Sequence, residues 1–118
     1  MKFTEKNLRM LKIKTFILIL FLSFLIFGEV KSFALEGDMF LKLCNSQSDY
    51  DKGFCLGYTL AIATLVFGSN NACQPPNLTP EAANSTVINW FKTNKSKLKN
   101  DAFVLIKQAL EENFPCKR

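Results

Sequence analysis

Four cysteines, Cys44, Cys55, Cys73 and Cys116, limit what this chain can fold into more than any other feature. An even number of cysteines in a short chain reads as paired disulfides in an oxidising compartment, or as a metal site in a reducing one. The chain has no histidine and no Cys-x-x-Cys pair, so the usual zinc-ligand spacing is missing. Two disulfides are expected, with no metal and no cofactor.

The N-terminus points to the same compartment. Lys2, Lys6, Arg9, Lys12 and Lys14 form a basic start, and Thr15–Gly28 follows as an uncharged apolar run. Ser32 and Ala34 are small residues two apart, the pattern a signal peptidase reads. Residues 1–34 are therefore expected to be a cleavable signal peptide, leaving residues 35–118 as the mature domain. A retained membrane anchor is the alternative, but a spanning helix needs about 20 apolar residues and this run is shorter. The predicted location is periplasmic or secreted, with membrane contact only through the signal segment before cleavage.

Removing that segment changes the charge. The whole chain carries +5, but residues 1–34 hold six Lys/Arg against two Asp/Glu. The mature part is nearly neutral, so the basic balance gives no support to nucleic-acid binding.

The mature part reads as an all-α domain, a compact bundle of about four helices stapled by two disulfides. Gly37–Cys44 has Met39, Phe40 and Leu43 on one stripe. After a polar turn, with Ser48 or Asp49 as N-cap, Phe54–Phe67 is apolar almost all round and is predicted to be the central, buried helix. Gly68 leads its stop signal. Thr79-Pro80-Glu81 is an N-cap, a proline at the first helical position and an acid in the first turn. The helix it opens runs to about Asn94, with Ala83, Val87, Trp90 and Phe91 inward. Trp90 and Phe91 are adjacent and point apart, so one is assigned to the core and the other becomes a candidate exposed contact. Asp101–Asn113 is the last helix, with Ala102, Leu105, Ile106, Ala109 and Leu110 inward. Gly57 and Ala61, four apart, are read as close packing of the second helix on a neighbour within the domain. The alternative is a helix contact across a dimer.

If consecutive helices run up and down, Cys44 and Cys55 flank the first turn and Cys73 and Cys116 meet at the opposite end. The rival pairing, Cys55 with Cys73 and Cys44 with Cys116, requires a return along a helix about 20 Å long. It stays open if the return is extended. The preferred pairing is Cys44–Cys55 with Cys73–Cys116.

No catalytic set is legible. Without histidine there is no Ser-His-Asp or Cys-His arrangement, and no glycine-rich phosphate loop occurs. The acids Asp49, Asp51, Glu111 and Glu112 sit on a turn and a helix end, where they are solvated surface. The chain is not expected to be an enzyme.

Three motifs, in order, carry a resemblance: Cys55-Leu-Gly-Tyr58 opening an apolar helix; Cys73-Gln-Pro-Pro-Asn-Leu-Thr79 leading into the next; and Ala102, Leu105-Ile106, Ala109-Leu110 and Phe114-Pro115-Cys116 at the end. Together they resemble the Rap/Tai family of periplasmic immunity proteins, which bind the peptidoglycan amidase effectors of type VI secretion. The family's Gly and Asp-Ala in the second helix are replaced here by Ala61 and Ala63-Thr64. The resemblance implies an all-α domain, often a homodimer, whose partner is a cognate amidase effector that it inhibits by occlusion. On that view two protruding connections are candidate partner-binding segments: Ser69, Asn70, Asn71 and Gln74 in the first, and Asn94, Lys95, Lys97 and Lys99 in the second. The alternative function is a small periplasmic stress chaperone of the HdeA type.

Overall fold

The computed structural model describes residues 4–26 and 34–117, and the chain divides into two units, 1–33 and 34–118. Ser32 and Phe33 of the expected cleavage motif lie outside the described residues. The expected count of about four helices is corrected to five α-helices among the described residues: α1 (Glu5–Ile26), α2 (Gly37–Cys44), α3 (Asp49–Gly68), α4 (Pro80–Thr93) and α5 (Ala102–Asn113). The additional one is α1, in the first unit, where the signal was read as an apolar run and not counted as a helix. A single 3-10 turn, Lys95–Lys97, joins α4 to α5, and no strand occurs among the described residues.

Within α1 the hydroxyls of Thr15 and Ser23 donate to the carbonyls of Leu11 and Ile19, four residues back, at 2.8 Å each. No helix among the described residues is long and apolar enough to cross a membrane.

In the second unit, local chemistry sets the helix starts. Ser48 Oγ accepts from Asp51 N, Thr79 Oγ1 accepts from Ala82 N at 3.1 Å, and Asp101 Oδ1 accepts from Phe103 N at 2.7 Å. Each side chain satisfies an N–H that has no partner inside its helix. Pro80 occupies the first turn of α4, where its missing N–H costs nothing. The end of α3 departs from expectation. Gly68 is the last helical residue, and the left-handed position falls to Asn70, at φ 60°. Asparagine tolerates that region better than other side chains.

Phe40 from α2, Cys55, Ile62 and Val66 from α3, Val87 and Phe91 from α4, and Leu105, Ile106 and Leu110 from α5 meet in one core. Phe40 is fully buried and sits edge-on to Phe91, ring centroids 5.2 Å apart. An eight-residue helix such as α2 is marginal alone in water, so this burial is what keeps it helical. All five predicted inward positions of α5 are buried. Met39, predicted on the inward stripe of α2, is half exposed.

Two further expectations are corrected. Trp90 and Phe91 are both buried: Trp90 escapes exposure because its indole Nε1 donates to Glu112 Oε2 of α5 at 2.6 Å. The α3 helix is not buried all round. Phe54 and Leu65 are 40% and 62% exposed, Gly57 and Ala61 are exposed, and a Cβ added at Gly57 would meet nothing within 4 Å. Gly57 and Ala61 therefore do not serve close packing within the unit.

Residues 35–38 are zipped to residues 98–102. Leu35 O accepts from Ala102 N at 2.7 Å, Gly37 N donates to Asn100 O and Asp38 N to Leu98 O, both at 2.9 Å. Glu36 and Asp101 form an isolated antiparallel bridge. The approach is possible because Gly37 lacks a side chain: a Cβ there would lie 3.0 Å from Leu98 O and 2.6 Å from Leu105 Cδ1.

Disulfides join Cys44 to Cys55 and Cys73 to Cys116, with sequence separations of 11 and 43. In the chain-entropy view loops of these sizes contribute about 3 and about 4 kcal/mol.

Two measurements probe this frame. Gly37→Ala should destabilise the protein by about 1–3 kcal/mol in urea unfolding, through overpacking against backbone. Gly53→Ala, in open space within α3, should stabilise it by about 0.5–1 kcal/mol. The second concerns pH. The hydrogen bond from Trp90, then that from Gln108, hold the Glu112 carboxyl below its ordinary range. A depressed folded pKa means the stabilisation is present at neutral pH and is lost as pH falls through the folded pKa. Trp90 fluorescence should stay constant into mild acid and change only below the ordinary glutamate range, and Glu112→Gln should remove that step.

Candidate functional site

The expected partner-binding residues fall into two clusters, and the structure does not bring them together. They lie at opposite ends of α4, whose 14 residues span about 20 Å.

The first cluster is the connection between α3 and α4. Ser69, Asn70, Asn71 and Gln74 are all exposed. Ser69 caps α3, its Oγ donating to Val66 O and accepting from Asn71 Nδ2 at 2.9 Å. Ala72 is buried beneath them and fastens the loop to the core. Cys73 is bonded to Cys116, and its N–H donates to Phe114 O at 2.8 Å. Phe114 in turn packs edge-on against Phe67 of α3, centroids 5.9 Å apart. Asn70 and Gln74 reach the wall of a groove of about 600 Å3 between this loop, the last turns of α3 and the first turn of α4. Leu60, Phe67 and Leu78 give the groove an apolar floor, and Thr64, Thr79 and Gln74 give it polar edges.

The second cluster is the α4–α5 junction, and its four residues have unequal freedom. Asn94 is half-buried and its amide is spent on the end of α4, donating to Trp90 O at 2.8 Å and to Thr93 Oγ1 at 3.2 Å. Lys97 lies over the Trp90 ring, 5.2 Å from its centroid, a favourable place for a cation. Lys99 pairs with Asp38 at 2.8 Å, and that hydrogen bond holds its ammonium pKa above the ordinary lysine value. Lys95 has no ion-pair partner among the described residues. Leu98, buried in the core, anchors the whole turn. The sequence reading missed it because it stands alone between lysines with no periodic partner.

All four cysteines are in disulfides, and no group of three or more Cys, Asp or Glu that could hold a metal ion occurs among the described residues. Tyr58, whose hydroxyl pKa is raised first by burial and then by Asp101, packs on Phe54 and Phe40.

Comparison with curated proteins gives no match. The family model of the Rap1a immunity proteins matches residues 36–116. That stretch holds α2 to α5, both disulfides and both candidate surfaces, and over it the chain belongs to the Rap1a immunity protein family.

Proposed function

We propose that this protein is a periplasmic immunity protein that binds a peptidoglycan amidase effector of type VI secretion and inhibits it by occlusion, without catalysis. The observation that carries the reading is the family match across the whole disulfide-stapled unit, since an immunity protein acts by binding a cognate secreted effector. Cleavage after Ala34 would release that unit, and paired cysteines belong to an exported protein. The contacts are assigned to Ser69–Asn77 and Asn94–Asn100. A standard interface face of roughly 800 Å2 is about 30 Å across, so one effector can touch both ends of α4. The loop at one end is held by a disulfide and the turn at the other by Leu98 and Trp90. Both are ordered before binding, which lowers its entropic cost.

A homodimer is part of the proposal, through the exposed stripe of α3. Tyr50, Phe54, Gly57, Ala61, Thr64 and Gly68 are all exposed and follow one another at three- or four-residue steps. In an antiparallel pairing about a two-fold axis, Tyr50 would face Gly68, Phe54 would face Thr64 and Gly57 would face Ala61, large against small. With Leu65 beside it the stripe offers on the order of 500 Å2, the size of a functional patch and of a weak dimer face.

The exported form of the protein should abolish hydrolysis of peptidoglycan peptides by a co-encoded amidase. Lys95→Glu together with Gln74→Lys should weaken inhibition roughly tenfold, with lower sensitivity to salt, as for charges at an interface rim. No inhibition of any co-encoded effector would sink the reading. Suppression of protein aggregation in acid, without a specific partner, would favour the chaperone alternative. Independently, sedimentation should show self-association that Leu65→Glu removes. A wild-type monomer at high concentration would exclude the α3 dimer.

A further inference from the structure

We propose that the Cys73–Cys116 disulfide is a redox latch on the groove beside α3, one that a dithiol can open without unfolding the helical core. The two disulfides occupy different surroundings. Cys55 is 1% exposed and belongs to the core cluster, with the partly buried Cys44 packed against it. Cys73 is exposed and Cys116 half-exposed, and neither contributes to the core. The first bond offers solvent only its Cys44 side, since Cys55 is buried. Reaching the second requires only approach from solvent, the condition that makes a disulfide labile.

What the latch holds is also local. It ties the tail after α5 to the loop before α4, and that loop supplies Cys73, Gln74 and Leu78 to the groove wall. Besides the disulfide, the loop is retained by the Cys73 N to Phe114 O hydrogen bond and by the buried Ala72 methyl. The cores of α3, α4 and α5 pack on one another through Ile62, Val87, Phe91 and Ile106, away from this edge. Breaking the bond therefore loosens one wall of the groove and frees the tail after Phe114, which stays packed on Phe67, and leaves the helices packed.

The chemistry is thiol–disulfide exchange. A thiolate of the dithiol attacks the Cys73 sulfur, forming a mixed disulfide as the Cys73–Cys116 bond breaks, and Cys116 leaves as a thiolate that takes up a proton. The second thiol of the reagent, on losing its proton, displaces Cys73. The products are two protein thiols and one oxidised reagent. The reverse exchange closes the latch.

This inference does not depend on the effector assignment, and its test uses no effector. The exported protein is treated with graded dithiothreitol under native conditions, quenched with an alkylating reagent and mapped by mass spectrometry, with helicity followed by circular dichroism. Cys73 and Cys116 should be labelled at least roughly tenfold faster than Cys44 and Cys55, with helicity unchanged at that stage. Hydrogen exchange in the Cys73→Ser/Cys116→Ser double variant should quicken at residues 69–79 and 116–117, and stay slow at Phe91 and Ile106. Labelling of all four cysteines together with loss of helicity would overturn the proposal. So would Cys44–Cys55 opening first, resistance of Cys73–Cys116 to the reagent, or a double variant that is unfolded.

Discussion

The second unit is closed by the contact of Gly37 with the backbone of Leu98. Only a glycine lets the two chain segments approach to hydrogen-bonding distance there. The start of α2 and the start of α5 are fixed by the same set of bonds, and Leu98 is carried into the core between them. The basic turn inherits its shape from that closure. Its lysines are presented by a buried leucine and a tryptophan, and not by their own preferences.

The helices differ in how completely they satisfy their apolar residues. α5 buries its inward stripe and pairs Lys107 with Glu111 at 3.1 Å, leaving only Phe103 and Val104 of its apolar residues exposed. α3 carries more apolar residues than its neighbours can cover, because one 20-residue helix meets partners on one side only. The surplus is arranged as a stripe with small residues at its middle. That order, small residues at the middle and larger ones toward the start, is what the proposed α3 dimer draws on. The stripe and the groove beside the α3–α4 loop meet at Thr64 and Gly68, which belong to both.

Much of this was legible in the sequence where the signal is local. Thr79-Pro80 and Asp101 announce their helix starts because a capping side chain acts within three residues of itself. The inward faces of α4 and α5 follow from simple periodicity. The paired cysteines follow from count and compartment. Long-range facts were not legible. The burial of Trp90 depends on Glu112, 22 residues away, and nothing in either neighbourhood announces the other. Leu98 sits in a lysine-rich run that reads as solvated. The exposure of α3 was hidden by its uniform apolarity, which a buried helix and a sticky one share. At the candidate site, the sequence marked two connections between helices as partner-binding candidates. It did not show that Asn94 and Lys99 are already engaged within the domain and that Lys95 is not.

The length of α4 has a consequence for how such a protein changes. Energetic effects of substitutions add when the sites lie more than about 10 Å apart and share no partners, and the two ends of α4 meet that condition. A change in the Asn70–Gln74 loop leaves the lysine turn undisturbed, and the reverse also holds. On the contacts proposed above, recognition would then be altered one end at a time, each step small and each retaining the contact at the other end. A lineage can drift from one partner to a related one without passing through a form that binds neither.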